Sequence, residues 1–235
     1  MSWSLTPDEF AHVWRQADLD RLPYPLRVLE TPRTERDARF LHAELAQRLP
    51  PDPDLEACLR ILAAPHTRVI AIGGAAEPGR ELRALGCVVH DRAVLAVQEP
   101  GRTAEFGGTV SLSIGHRAKL GARLAALLPD APAGRRPART ASTAAVRDTE
   151  TVVQAERAAT PIRKLLCAPH TAQGHIRIEA HLDRPKPPPA LHYTWLDVEN
   201  DGRYLLKADE TVHIVPASTE QLATHLQKRI PAGAR

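Results

Sequence analysis

Aromatic side chains are scarce in this chain. Phe, Tyr and Trp make up 4% of its 235 residues. That is too few for the stacking platforms on which single-stranded nucleic acids are held. A dominant charge is also missing. The 31 Lys and Arg against 28 Asp and Glu leave a formal charge of only +3, short of the basic excess expected of a nucleic-acid binder. No stretch approaches the roughly 18 consecutive apolar residues of a membrane span. The start, Met1 to Glu9, lacks the basic and apolar regions of a signal peptide, so a cytosolic location is expected. The 3 cysteines, Cys58, Cys87 and Cys167, are odd in number and far apart. They read as reduced core thiols, not as a disulfide framework.

Motifs for chemistry are lacking as well. Gly73-Gly74 follows a strand pattern, but no Gly-x-Gly-x-x-Gly and no P-loop lysine accompany it, so it reads as a turn. Among 11 histidines there is no His-Glu-x-x-His, and no Cys pair stands at ligand spacing. Ser111-x-Ser113-x-Gly115 lacks the first glycine of a nucleophile elbow. No cofactor or metal site is expected.

What the chain does have is an internal echo. Leu62-Ala63-Ala64-Pro65-His66-Thr67 returns as Leu166-Cys167-Ala168-Pro169-His170-Thr171. Further on, Thr109-Val110 matches Thr211-Val212, Leu120 matches Leu222, Leu124 matches Leu226 and Pro129 matches Pro231. A period this long, present twice, is not a solenoid repeat. It predicts two copies of one unit completing a shared core around an approximate two-fold axis. His66 and His170 follow Pro at a predicted helix end in both copies, where an imidazole can meet terminal carbonyls.

The elements follow from periodicity. Thr6 and Glu9 form a capping box, with Pro7 at the first helical position and Phe10, Val13, Trp14 and Ala17 on one face. Leu26 to Leu29 reads as a short strand. Helices are predicted over 34–49 and, capped by Asp52, from Pro53 to Ala64. Strands over 68–72, 82–89, 93–97 and 109–114 form an antiparallel meander, closed by a helix from Arg117 to Leu128. Residues 129–147 lack an apolar period and read as a mobile linker rich in arginine. The second half repeats the plan: a helix over 149–166 with Val152, Val153, Ile162 and Leu165 on its apolar face, then strands over 175–182, 192–198, 203–206 and 211–215. Asn200-Asp201-Gly202 is a hairpin signal, and Ser218 with Gln221 caps a last helix. Arg184-Pro185-Lys186-Pro187-Pro188-Pro189 is a stiff polyproline-like loop. The division expected is one domain of two halves, 1–129 and 148–235, joined by 130–147.

A family resemblance rests on several of these stretches. Thr6-x-x-x-Phe10-x-x-x-Trp14, Leu22-Pro23-Tyr24-Pro25-Leu26 and Asp54-Leu55-x-x-Cys58-Leu59-x-x-Leu62 resemble the opening of the EspG family, the type VII (ESX) secretion-associated proteins of actinobacteria. Asp91 to Val97, Leu127-Leu128-Pro129 and Gly202-Arg203-Tyr204-Leu205-Leu206 resemble later parts of that family, in order along nearly the whole chain. The resemblance implies an α+β fold, a central antiparallel sheet flanked by two helical bundles with quasi two-fold symmetry. It implies a cytosolic chaperone, not an enzyme, that holds PE–PPE-like or other ESX substrate pairs soluble for export. The contact surfaces it implies are a strand-connecting loop of the first half, mapped here to Gln98–Gly108, and the C-terminal helical part. The residues expected to contact a partner are Arg102, Glu105 and Phe106, with Tyr193 and Trp195 as further candidates, core packing of Trp195 being an equally strong expectation. The free protein is expected to be a monomer. Two other readings stay open at this point: a small hydrolase or transferase whose residues converge only in three dimensions, and a weak nucleic-acid binder using the arginines of 130–147.

Overall fold

The computed structural model describes residues 1–77, 79–103, 105–147 and 156–231. One ten-stranded sheet runs through it, in the order β1-β5-β4-β3-β2-β7-β8-β9-β10-β6. The first half supplies β1 (Ser2–Leu5), β2 (Thr67–Ala75), β3 (Glu81–Val89), β4 (Arg92–Pro100) and β5 (Gly107–His116). The second supplies β6 (Arg139–Ser142), β7 (His170–Ala180), β8 (Leu191–Val198), β9 (Gly202–Ala208) and β10 (Thr211–Pro216). Every pairing within the sheet is antiparallel. The meander is therefore present in both halves, and β2 and β7 join them at the centre, with Thr67 opposite Ala180 and Gly73 opposite Gly174.

Seven helices are described: α1 (Pro7–Gln16), α2 (Glu35–Arg48), α3 (Pro53–Ala63), α4 (Leu120–Ala125), α5 (Thr143–Arg147), α6 (Glu156–Leu166) and α7 (Thr219–Gln227). Their ends follow the capping chemistry. Thr6 and Glu9 close the capping box on α1, Asp52 accepts from the backbone N–H groups of Asp54 and Leu55 at the start of α3, and Ser218 and Gln221 close the box on α7. The expected start of the sixth helix, with Val152 and Val153, lies outside the described residues.

The helices divide between the faces of the sheet. α4 and α7 share one face over a core that includes Val69, Ala71, Ile176, Trp195 and Leu205. The matched residues of the echo sit in this cluster: Leu120 and Leu222 are both fully buried, as are Leu124 and Leu226. Where the two helices meet, a Cβ on Gly121 would stand 2.6 Å from the carbonyl oxygen of Ala223. The side-chain oxygen of Gln227 accepts the Gly121 N–H at 3.0 Å. On the other face, α1 and α3 cover the first half over Ile70, Leu85, Val94 and Leu112. α6 covers the second half over Leu196, Tyr204, Val212 and Ile214. Each fully enclosed aliphatic side chain in these clusters contributes about 1.5–3 kcal/mol.

Several expectations are corrected. Residues 130–147 are no mobile linker. The strap they form lies along the second half, with the Arg203 N–H donating to Pro132 O and the Gly134 N–H to Arg203 O. It then becomes β6, the edge strand beside β10, and α5. A strand held by backbone ladder bonds needs little apolar side-chain area, so composition hid it; Ala141 alone of β6 is buried. Gly73-Gly74 is not a turn but the end of β2. Both glycines take φ near +140° (139° and 137°), open only to a residue without a Cβ, and a Cβ on Gly73 would meet Gly174 at 2.4 Å. Leu26 to Leu29 forms no strand. Gln98 replaces a ladder there, its side-chain amide accepting from the Arg27 N–H and donating to the Arg27 carbonyl, both at 2.9 Å. Cys58 and Cys87 are free and buried, their thiols pushed up to about 12 by burial. Cys167 is free but exposed at the end of α6, so only two of the three are core thiols.

Candidate partner-binding site

The connection from β4 to β5 is pinned at its neck. The register shifts between Gln98 and Pro100, and Pro100 pairs with Gly107 across the neck. Glycine is needed there, since a Cβ on Gly107 would lie 2.1 Å from the Gln98 side chain and one on Gly101 2.2 Å from Phe106 O. Gln98 is itself enclosed, and the Gly107 N–H donates to Arg27 O at 2.9 Å. One buried amide thus fixes the loop neck and the 26–33 segment to each other.

Between them lies an open cleft of about 800 Å³ lined by Pro7, Leu29, Glu30, Arg33, Arg102 and Phe106, among others. Phe106 is half-buried in its wall, while Arg102 and Glu105 are exposed. Leu29 is exposed at 48%, which gives the cleft an apolar lip on the side opposite Phe106 in sequence. The 26–33 wall is held by an ion pair and by hydrogen bonds. Arg15 donates twice to Glu30, at 2.8 and 2.9 Å, and Asp8 accepts from the backbone and hydroxyl of Thr31 at 2.7 and 2.6 Å. The Arg15 hydrogen bonds hold the Glu30 carboxyl below the usual carboxylate range. Arg15 also reaches His42 of α2 at 2.7 Å, tying α2 to the same wall. α2 is otherwise a prominent helix with Leu45 its one buried residue, and Phe40 stands out at 66% exposure with the Arg36 guanidinium 5.7 Å from its ring.

Three of the five expected contact residues, Arg102, Glu105 and Phe106, come together on this loop. The other two do not. Trp195 is fully enclosed beneath the α4–α7 layer, and Tyr193 is 3% exposed. Both lie on β8, four strand spacings from β4, or about 19 Å at about 4.8 Å each. The correction has a packing cause: Gly174 on the neighbouring strand leaves its backbone bare, and the Trp195 indole fills that space. Tyr193 instead supports a shallow groove on α7 formed by Glu220, Gln221, Thr224, His225, Lys228 and Arg229. Arg229 Nε donates to the Tyr193 hydroxyl, and the His225 ring stands edge-on to Tyr193 with centroids 4.8 Å apart. Burial, with Arg229 and Lys228 nearby, lowers His225 to about 4. Sequence reasoning missed Leu29, Glu30 and Arg33 as cleft residues. Leu29 beside charged neighbours was the one available signal.

His170 does meet a helix terminus: its Nε2 lies 3.3 Å from Leu165 O. His66 packs its ring edge-on against His90 at 4.9 Å. Among the described residues no group of three or more His, Cys, Asp or Glu is placed to hold a metal ion.

The model that describes the EspG family matches residues 6–228 of the chain. No curated protein matches it. Among solved structures it is similar to the type VII secretion system chaperone EspG5 of Mycobacterium tuberculosis, in complex with the PE25–PPE41 dimer. That likeness has a TM-score of 0.66 at 14% sequence identity and covers 100% of this chain and 99% of the other.

Proposed function

Because the chain belongs to the EspG family, we propose that it is a type VII secretion chaperone that binds a PE–PPE-like helical pair and keeps it soluble for export. The observation that carries this reading is the whole-length likeness of fold to a chaperone whose structure includes a PE25–PPE41 dimer. The cleft beside the β4–β5 loop supports it further. It offers the partly apolar patch with a polar rim that transient partners share, with Phe106 and Leu29 as apolar anchors and Arg102 and Glu105 at the rim. The protein acts by binding and turns over nothing. Its place is the cytosol; among the described residues no helix is long and apolar enough to cross a membrane.

The test is co-expression with a PE–PPE-like pair, followed by size-exclusion chromatography. The expected result is a complex of chaperone and pair, with more of the pair in the soluble fraction than when it is expressed alone. Identical recovery of the pair with and without the chain, and no co-elution, overturns the reading.

A further inference from the structure

The cleft beside the β4–β5 connection carries its charges in two different states. Of the residues that line it, Glu30, Arg33 and Arg102 are the charged ones. Glu30 is already answered: Arg15 donates to both of its oxygens, and His42 Nε2 stands 3.5 Å away. Arg33 and Arg102 are exposed, and neither makes a hydrogen bond or an ion pair among the described residues. The nearby carboxylates do not serve them. Asp8 places both oxygens on Thr31, and Glu99 and Glu105 are exposed outside the lining. Two guanidiniums therefore border the cleft with their donors free.

Beside them the lining is largely apolar. Pro7, Leu29, Pro100 and Phe106 supply carbon surface, with Leu29 exposed and Phe106 half-buried. Arg33 stands just before the α2 cap at Thr34, and Arg102 just past Gly101 at the loop neck. The two cations thus come from the two segments that Gln98 links. A cleft of about 800 Å³ matches a ligand-sized group, so it holds a few side chains and not a whole helix. The groove on α7 is a contrast. Glu220, Lys228 and Arg229 line it together with Gln221, Thr224 and His225, and it has no apolar wall.

We infer that the cleft reads a carboxylate set beside an apolar side chain: a turn of the cargo seats an aliphatic or aromatic group against Leu29 and Phe106, and a neighbouring Asp or Glu meets Arg33 or Arg102. The inference rests on the proposed chaperone function for the partner, a helical protein, and names what that partner must present. Apolar contact supplies the affinity. The guanidiniums supply the selection, because rim charges choose partner and register more than they add affinity. They suit a carboxylate because they hold it with paired hydrogen bonds. A protein segment is favoured over a nucleotide because the walls are mainly aliphatic, Pro7, Leu29 and Pro100 against one aromatic ring, whereas bases are held by stacking on aromatic side chains.

The experiment uses the full chain and capped hexapeptides. One alternates leucine with glutamate; its controls alternate leucine with glutamine and serine with glutamate. Amide chemical shifts are followed during titration at low salt. The leucine–glutamate peptide is expected to move the signals of Leu29, Arg33, Arg102 and Phe106, and to bind several-fold more tightly than either control. Arg33→Gln and Arg102→Gln should each weaken it about two- to fivefold, the range of an exposed ion pair, and leave the leucine–glutamine peptide unaffected. The double variant should no longer tell the two leucine peptides apart, whereas Arg102→Lys should keep part of the preference. Both positions are exposed, so thermal melts should not move. No response to the leucine–glutamate peptide, or equal binding of the glutamate and glutamine peptides, overturns the inference. So does a preference that survives the double variant, or shifts confined to α7. Tighter binding of AMP at the same residues overturns it in favour of a nucleotide site. A pair that co-elutes with a protein blind to the peptide charge removes the inference and leaves the chaperone reading standing. Peptide discrimination without capture of a pair removes the chaperone reading and keeps the site.

Discussion

The two halves of the sheet carry the same strand order and spend their connections differently. Each half runs helix, four-stranded meander, helix, and each turns its middle hairpin on a left-handed residue followed by Asp: His90 before Asp91, Asn200 before Asp201. Beyond that the loops part. β4 and β5 are joined by a connection whose neck is pinned by Gln98, whereas β9 and β10 are joined through Asp209-Glu210 alone. β2 and β3 are close-coupled, whereas β7 and β8 are separated by the proline-rich 181–190 segment, exposed from Asp183 to Pro189. The ladder and the α4–α7 crossing tolerate little change, because each is a contact of backbone with backbone. Loops bear no such constraint and are free to acquire function.

Among the described residues, the second half also holds something with no counterpart in the first half's apolar cores. Arg203 is fully enclosed, donates at 2.7 Å to each oxygen of Asp197, donates to Pro129 O, and lies 5.6 Å from the Trp195 ring. This pair clamps the strap that leads to β6. Removing the guanidinium leaves Asp197 charged and enclosed, so Arg203→Ala is expected to cost about 3–5 kcal/mol. It should also release the strap to trypsin at Arg135, Arg136 and Arg139. Urea denaturation and limited proteolysis read the two effects. A loss under about 1 kcal/mol with the strap still protected would show that the clamp is not what distinguishes the halves.

The shared α4–α7 layer makes the opposite prediction, of equality. Leu124→Ala and Leu226→Ala remove matched, fully buried side chains from one cluster. Each should cost about 2–5 kcal/mol, and the two values should agree within about 1 kcal/mol. A larger gap in urea midpoints would mean that the two crossing helices share residues but not surroundings, and the expected quasi two-fold relation would not extend to packing energies.

The β4–β5 loop has no equivalent between β9 and β10, so its loss should touch binding more than folding. Phe106→Ala is expected to weaken capture of a PE–PPE-like pair by about 1–3 kcal/mol, with a small change in melting temperature. Calorimetric titration beside a thermal melt separates the outcomes. Unchanged affinity with a lowered melting temperature would make Phe106 a wall of the fold rather than an anchor.

The smallest effect expected is a pH dependence tied to α7. His225 has its proton affinity lowered to about 4. The unfolded chain therefore takes up a proton near its ordinary value of 6.5 before the folded chain does. Stability is full above that pH and falls as pH drops through it towards about 4. The imidazole is only half-buried, so solvent screening reduces the loss to about 1 kcal/mol. His225→Gln should flatten this part of the stability–pH curve, and an unchanged curve would place the acid sensitivity elsewhere.

Local chemistry was legible in the sequence. The capping boxes of Thr6 with Glu9 and Ser218 with Gln221, the Asp52-Pro53 helix start and the Asn200-Asp201-Gly202 turn all formed as written, because each is decided by neighbours within a few residues. The strand expected over 175–182 formed within β7, which begins five residues earlier at His170 and ends at Ala180. What the sequence could not declare were contacts made by backbone or across long separations. β6 is held by ladder bonds that leave almost no apolar signature, and Gln98 satisfies Arg27 from 71 residues away. Of the two roles open to Trp195, core or contact, the core was decided by a glycine on another strand that left room for its ring. Leu29 and Phe106 share a cleft only because that same buried amide fixes their segments side by side. Sequence settles what near neighbours can satisfy, and tertiary structure settles what a backbone group or a ring finds only once distant strands have closed around it.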